Sequence, residues 1–271
     1  MFTPGSFKLR IGATFWSRKH GTLATNPTRP ASSRYIATAK AGTSTMEHLI
    51  VFDLGGVLVQ RRHTLRELTT VMIRHANLQS RSNHGGQTSV PTIITDPFSF
   101  EAAYGRYRES YSLSMGPNDY FTTLCRAAGV QPTEELLAEL QETDTRLCST
   151  VNASVLNLLN HLNAINQPWA IFSNAPRPVM EAVMEQDWTN AAAVTCFSPE
   201  LRFTKPHQGA FRRFEQAAAA AGHEYASLIY FDDRQTNLDA AQRRGWEAFP
   251  WRGVESVHEV LAPITGLRRA D

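Results

Sequence analysis

The sequence predicts an α/β domain built on a parallel sheet, with a small helical insertion after its first strand. Three observations carry this. The short apolar runs Leu49–Phe52, Trp169–Phe172 and Leu228–Phe231 each end in polar or turn residues, as strands buried on both faces do. About 110 residues separate the first run from the second, where a crossover helix needs about 12. Helical periodicity marks Thr64–Ala76, Phe98–Tyr111, Pro117–Ala128 and Thr133–Leu147 within that interval.

The chain divides accordingly into a leader (1–46), a core (47–60 and 150–271) and an inserted helical cap (61–149). The leader holds seven basic residues and no acidic one, and it is rich in Ser and Thr. That composition reads as a disordered leader or an organelle transit peptide, with Met46 as an alternative start. The protein is expected in the cytoplasm, or in mitochondria if the leader targets it. Of 27 Lys+Arg, taking away those seven leaves twenty against 25 Asp+Glu, so residues 47–271 carry −5. A folded surface of that sign argues against nucleic acid as partner. No apolar stretch reaches the ~18 residues of a membrane span. Cys125, Cys148 and Cys196 are too widely spaced for a zinc module.

The first strand leads into Asp53-Leu54-Gly55-Gly56-Val57. Asp53 therefore stands at the carboxyl end of a strand, where α/β sheets place ligands. Gly55 and Gly56 let the backbone turn closely around it. The cap follows, with Arg61, Arg62, His63, Tyr104, Arg106, Arg108 and Tyr111 as residues able to choose a leaving group; His63, Tyr104 and Arg108 are the selected set. Gln79–Pro97, rich in Ser, Gly, His and Thr, reads as a flexible insertion. The second strand ends in Ser173-Asn174, whose hydroxyl, amide and N–H groups suit a phosphate. Lys205-Pro206 precedes an amphipathic helix over roughly His207–Ala221. The twenty basic residues of 47–271 are nineteen arginines and this one lysine, a compact point charge where one is wanted. The last strand ends in Asp232-Asp233, with Asn237 further on. Adjacent carboxylates repel unless a proton or a divalent, oxygen-ligated cation lies between them.

This ordered set resembles the haloacid-dehalogenase-like (HAD) hydrolase superfamily, over essentially all of 47–271. The resemblance implies a Rossmann-like core, Mg²⁺ as cofactor and an aspartyl-enzyme intermediate. Asp53 would be the nucleophile, with Lys205 as its catalytic partner. Ser173, Asn174 and Lys205 would bind phosphate. Asp53, the Gly55 carbonyl and Asp233 would hold the metal, with Asp232 contributing directly or through water. Most phosphatases of the superfamily have a second Asp two residues after the nucleophile, where this chain has Gly55. General acid–base help is worth roughly 10²–10⁴-fold, so the leaving group must be good, or another residue must serve. A DxG subgroup with a first-type cap resembles sugar-phosphate phosphatases. The expected function is Mg²⁺-dependent hydrolysis of a small organic phosphate by a monomer or homodimer. A prenyl or terpenoid phosphate phosphatase, a 2-haloacid dehalogenase and a degenerate HAD-fold binding protein are the alternatives.

Overall fold

Strand β1, His48–Phe52, lies at the centre of a five-stranded parallel sheet ordered β3-β2-β1-β4-β5. The computed structural model describes residues 48–83, 96–221 and 225–265; the leader reading falls outside them. After β1 come four helices: α1 (Arg61–Asn83), α2 (Pro97–Leu113), α3 (Pro117–Ala127) and α4 (Glu134–Ser149). The chain then alternates through α5 (Ala153–Ala164), β2 (Trp169–Ser173), α6 (Arg177–Met184), a short 3₁₀ helix and β3 (Val194–Phe197). It closes with α7 (Ser198–Leu201), α8 (Gln208–Ala220), β4 (Ser227–Asp232), α9 (Gln235–Gln242), β5 (Glu247–Pro250) and α10 (Val254–Thr265).

Strand side chains alternate between two faces, and here both faces are covered. Leu49, Val51, Phe172 and Tyr230 pack with Phe211, Phe214 and Trp246 on one side. Ile50, Phe52, Trp169, Ile171 and Phe231 pack with Val155, Leu158, Leu162 and Val257 on the other. Each of these strand side chains is fully buried, worth roughly 1.5–3 kcal/mol apiece. The fold class expected from the apolar runs is therefore the one observed.

Helices α1–α4 have a core of their own, including Leu68, Met72, Phe100, Tyr111, Tyr120, Phe121, Leu136 and Leu140. Asp96 caps α2, accepting from the N–H groups of Phe98 and Ser99, and Thr133 caps α4 through Leu136 N–H. The expected loop over Gln79–Pro97 begins later than predicted: α1 continues through Asn83, and 84–95 lie outside the described residues. Two hydrogen bonds tie α2 to the core. Ser198 Oγ donates to the Ser112 carbonyl at 2.6 Å, and Thr204 Oγ1 donates to Glu109 Oε1 at 2.7 Å. Among the described residues no helix is long and apolar enough to cross a membrane.

Candidate active site

From β1 the chain passes to β2 on one side and later to β4 on the other, so the carboxyl end of β1 is the switch point of the sheet. Asp53 sits there. Phe52 pairs with Phe231, and Asp53 N–H donates to the Phe231 carbonyl at 3.0 Å. This register puts Asp53 beside Asp232. Both continue the odd-even pattern of the face that carries Val51 and Tyr230, so both carboxylates turn to the same side.

Lys205 reaches that side from the loop before α8. Its ammonium lies 3.0 Å from Asp53 Oδ1 and 2.9 Å from Asp232 Oδ2. It also donates to the Phe172 carbonyl at 2.6 Å and to the Tyr230 hydroxyl at 2.8 Å. Lys205, Asp53 and Asp232 are 3%, 1% and 0% exposed. A buried charge persists only when paired and hydrogen-bonded, and each charge here has its partner.

The two oxygens of Asp53 differ. Oδ1 accepts from Leu54 N–H at 2.7 Å and faces Lys205, which leaves Oδ2 the less committed atom. The following turn closes with Gly56 N–H to the Val59 carbonyl and Val59 N–H to the Leu54 carbonyl. Gly56 has φ +90°, and a Cβ on it would stand 2.1 Å from Asp233 Oδ2. The Asp233 carboxylate is seated directly against the Gly56 backbone, so this glycine is needed for both its conformation and its lack of a side chain.

Several expected ligands also have partners within the protein. Asp232 is hydrogen-bonded through both oxygens: Oδ2 accepts from Lys205, Tyr230 and Asn237, and Oδ1 accepts from Arg234 N–H and Asn237. Four donor groups thus orient the carboxylate that shares the Lys205 ammonium with Asp53. Burial would raise its pKa, but the Lys205 charge and the Tyr230, Lys205 and Arg234 hydrogen bonds hold it below the ordinary carboxylate value. Burial, with the Asp232 and Asp53 carboxylates nearby, keeps the Tyr230 phenol protonated well past its usual range.

Asn174 is tied to the main chain of Lys205. Its Nδ2 donates to the Lys205 carbonyl at 2.9 Å and its Oδ1 accepts from Lys205 N–H at 2.8 Å, which fixes the lysine's main chain. Ser173, buried, ends β2 one residue earlier, in register with Phe197. The Lys205 ammonium already faces four acceptors with three protons, so donating to a phosphoryl oxygen requires giving up one of them.

The cap residues have partners within the insertion. His63 is exposed and lies 3.8 Å from Glu67 one turn along α1. Arg108 pairs with the buried Asp144 at 3.0 Å, and its guanidinium lies over the Tyr104 and Tyr111 rings at 5.0 and 5.4 Å. Arg108 and Tyr104 thus bind the insertion together, joining α2 to α4. The side chains of Arg61 and Arg62 lie outside the described residues. The three cysteines are buried, and burial pushes the Cys148 thiol up to about 12, which leaves it no nucleophilic role.

A family model for haloacid dehalogenase-like hydrolases matches residues 48–245. The chain belongs to the haloacid dehalogenase-like hydrolases. It is a hydrolytic enzyme by family, and no curated protein matches it in sequence. Solved structures share the fold at low identity. One from Thermotoga maritima, attributed to a beta-phosphoglucomutase, is 15% identical with a TM-score of 0.55, covering 80% of this chain and 99% of its own. A HAD family enzyme from Bacteroides thetaiotaomicron, in complex with magnesium and inorganic phosphate, is 16% identical with a TM-score of 0.50, covering 75% and 93%. L-2-haloacid dehalogenase from Xanthobacter autotrophicus, with chloropropionic acid covalently bound, is 17% identical with a TM-score of 0.50, covering 82% and 84%. These similarities describe the HAD hydrolase fold; the chemistry rests on this chain's residues.

Proposed function

We propose that this HAD hydrolase is an Mg²⁺-dependent phosphatase of small organic phosphates, working through an aspartyl-phosphate on Asp53. The observation that carries the reading is the carboxylate cluster. Ligand atoms of Asp53, Asp232 and Asp233 lie within 4.8 Å of one another, with a single lysine among them. The donors are all hard oxygens, as Mg²⁺ prefers. Asn237 Oδ1 is buried with no hydrogen-bond partner among the described residues, an acceptor suited to a metal-bound water. Asp53 Oδ2, Asp233 and the Gly55 carbonyl would hold the ion, and Asp232 would anchor Lys205 beside it. Bound there, Mg²⁺ supplies positive charge for the phosphoryl oxygens and for the attacking carboxylate.

Asp53 attacks phosphorus, forming the acyl-phosphate bond and breaking the ester bond to the leaving oxygen. Leu54 N–H and Lys205 hold the carboxylate in place. With Gly55 in the acid position, the leaving oxygen takes its proton from water or leaves as the anion. Water then attacks phosphorus, releasing phosphate and restoring Asp53. Helices α1–α4 serve as the cap, seated on the core through Glu109–Thr204 and Ser112–Ser198, and close the site to solvent.

The dehalogenase alternative needs no metal, and a site with three clustered carboxylates fits it less well. The full-length protein should release phosphate from p-nitrophenyl phosphate or from members of a sugar-phosphate and prenyl-phosphate panel with Mg²⁺, and stop with EDTA. Chloride release from 2-chloropropionate that persists in EDTA, with no phosphate released from any panel member, would replace this reading with the dehalogenase one.

A further inference from the structure

Tyr230 sits inside β4 with its ring fully buried. Trp246 and Phe211 meet it edge-on, at 5.7 and 6.2 Å between centroids, and Phe172 lies 6.1 Å away. A phenylalanine would fill this space equally, and burying a phenol costs free energy unless its hydroxyl is paired. Here it is paired twice. The hydroxyl accepts from Lys205 Nζ at 2.8 Å and donates to Asp232 Oδ2.

We propose that the Tyr230 hydroxyl is a positioning group that sets how the Lys205 ammonium is shared between Asp53 and Asp232. The inference deepens the phosphatase reading and rests on it for its kinetic consequence. Asp232 alone would draw the cation to itself, since its Oδ2 lies 2.9 Å from Nζ, as close as Asp53 Oδ1 at 3.0 Å. By donating to Asp232, the phenol takes up part of that carboxylate's acceptor capacity. By accepting from Lys205, it holds a third side of the ammonium. Nζ also lies 5.0 Å from the centre of the Phe172 ring and 5.3 Å from that of Tyr230, so the cation is caged by rigid groups. The cage leaves it 3.0 Å from Asp53 Oδ1. Removing the hydroxyl frees Asp232 to take the ammonium, and the ion moves off Asp53.

The composition supplies a direct probe. Outside Lys205 the chain has only Lys8, Lys19 and Lys40. With these three replaced by Arg in the full-length protein, ¹⁵N-lysine labelling gives a single side-chain ammonium signal, that of Lys205. Tyr230→Phe should shift this signal and speed exchange of its protons with water by about tenfold. In the same variant kcat for p-nitrophenyl phosphate should fall by about tenfold, with KM within about twofold, as expected when a catalytic group is misplaced. An unmoved Lys205 signal in a folded Tyr230→Phe protein overturns the proposal whatever the kinetics. A shifted signal in a protein that releases no phosphate from any substrate upholds the positioning role and overturns the phosphatase reading instead. Should Tyr230→Phe not fold, replacing tyrosine by 3-fluorotyrosine makes the phenol a stronger donor. The Lys205 signal must then move, and its failure to do so overturns the proposal.

Discussion

The ammonium of Lys205 lies 3.0 Å from Asp53 Oδ1, and no other lysine stands between residues 47 and 271. The pair joins the end of β1 to the loop before α8, and Asp232 shares the same cation from β4. Two buried carboxylates therefore share one cation.

Replacing that charge should cost both stability and activity. Lys205→Met leaves two buried carboxylates facing each other, and breaking a buried ion pair costs about 3–5 kcal/mol. Urea unfolding should show a loss of this size, with phosphatase activity abolished. A stability change below about 1 kcal/mol would mean that the carboxylates are compensated by something other than Lys205.

Gly56 makes a separate prediction. Gly56→Ala places a Cβ 2.1 Å from Asp233 Oδ2 in a backbone conformation with φ +90°. Asp233 must move, so the Mg²⁺ concentration giving half-maximal activity should rise at least about tenfold. The three atoms nearest that Cβ all belong to the Asp233 side chain, so circular dichroism should be unchanged.

The missing acid predicts a steep dependence on the leaving group. Across aryl and alkyl phosphates, kcat/KM should fall sharply as the leaving alcohol becomes a weaker acid. Gly55→Asp should restore the poor substrates by roughly 10²-fold, with little effect on p-nitrophenyl phosphate. Parallel gains on all substrates would show that residue 55 has some other role.

Acid should destabilise the fold through groups held ionised. Asp232, whose burial is outweighed by Lys205 and its hydrogen bonds, sits below its ordinary value of 3.8. Glu139, hydrogen-bonded to His75 and to Arg74, sits below 4.5. Carboxyls with depressed folded values stabilise fully above the unfolded values and lose that contribution as pH falls through the folded ones. Unfolding free energy from urea titrations should be level from pH 7 to about 5 and decline below about 4.5. In Asp232→Asn the decline should be shallower.

Much of this was legible because the informative residues end apolar strands. β1, β2 and β4 are short, wholly buried runs, and Asp53, Ser173 and Asp232 mark their ends. The cap helices show through their 3.6-residue periodicity. β3 and β5 were not legible. Each has four residues; β3 is broken by Thr195, and β5, an edge strand, begins in Glu247, ends in Pro250 and is half-exposed, so neither stands out as a strand in the sequence. Tyr230 reads as core within its strand, because its polar partner Lys205 comes from another part of the chain. Asn174 carries the donors and acceptors of a ligand-binding residue, and only the fold reveals that it also holds the main chain of Lys205. Asp232 and Asp233 look alike in sequence, yet burial gives one to Lys205 and leaves the other against Gly56.

The central claim is a phosphoryl group carried on Asp53. Enzyme quenched during turnover with Mg²⁺ and substrate, then reduced with borohydride, should show Asp53 converted to homoserine by peptide mass spectrometry, and no conversion with EDTA or in Asp53→Asn. Phosphate release that continues in Asp53→Asn, or turnover that never yields the reduced residue at position 53, would contradict the account.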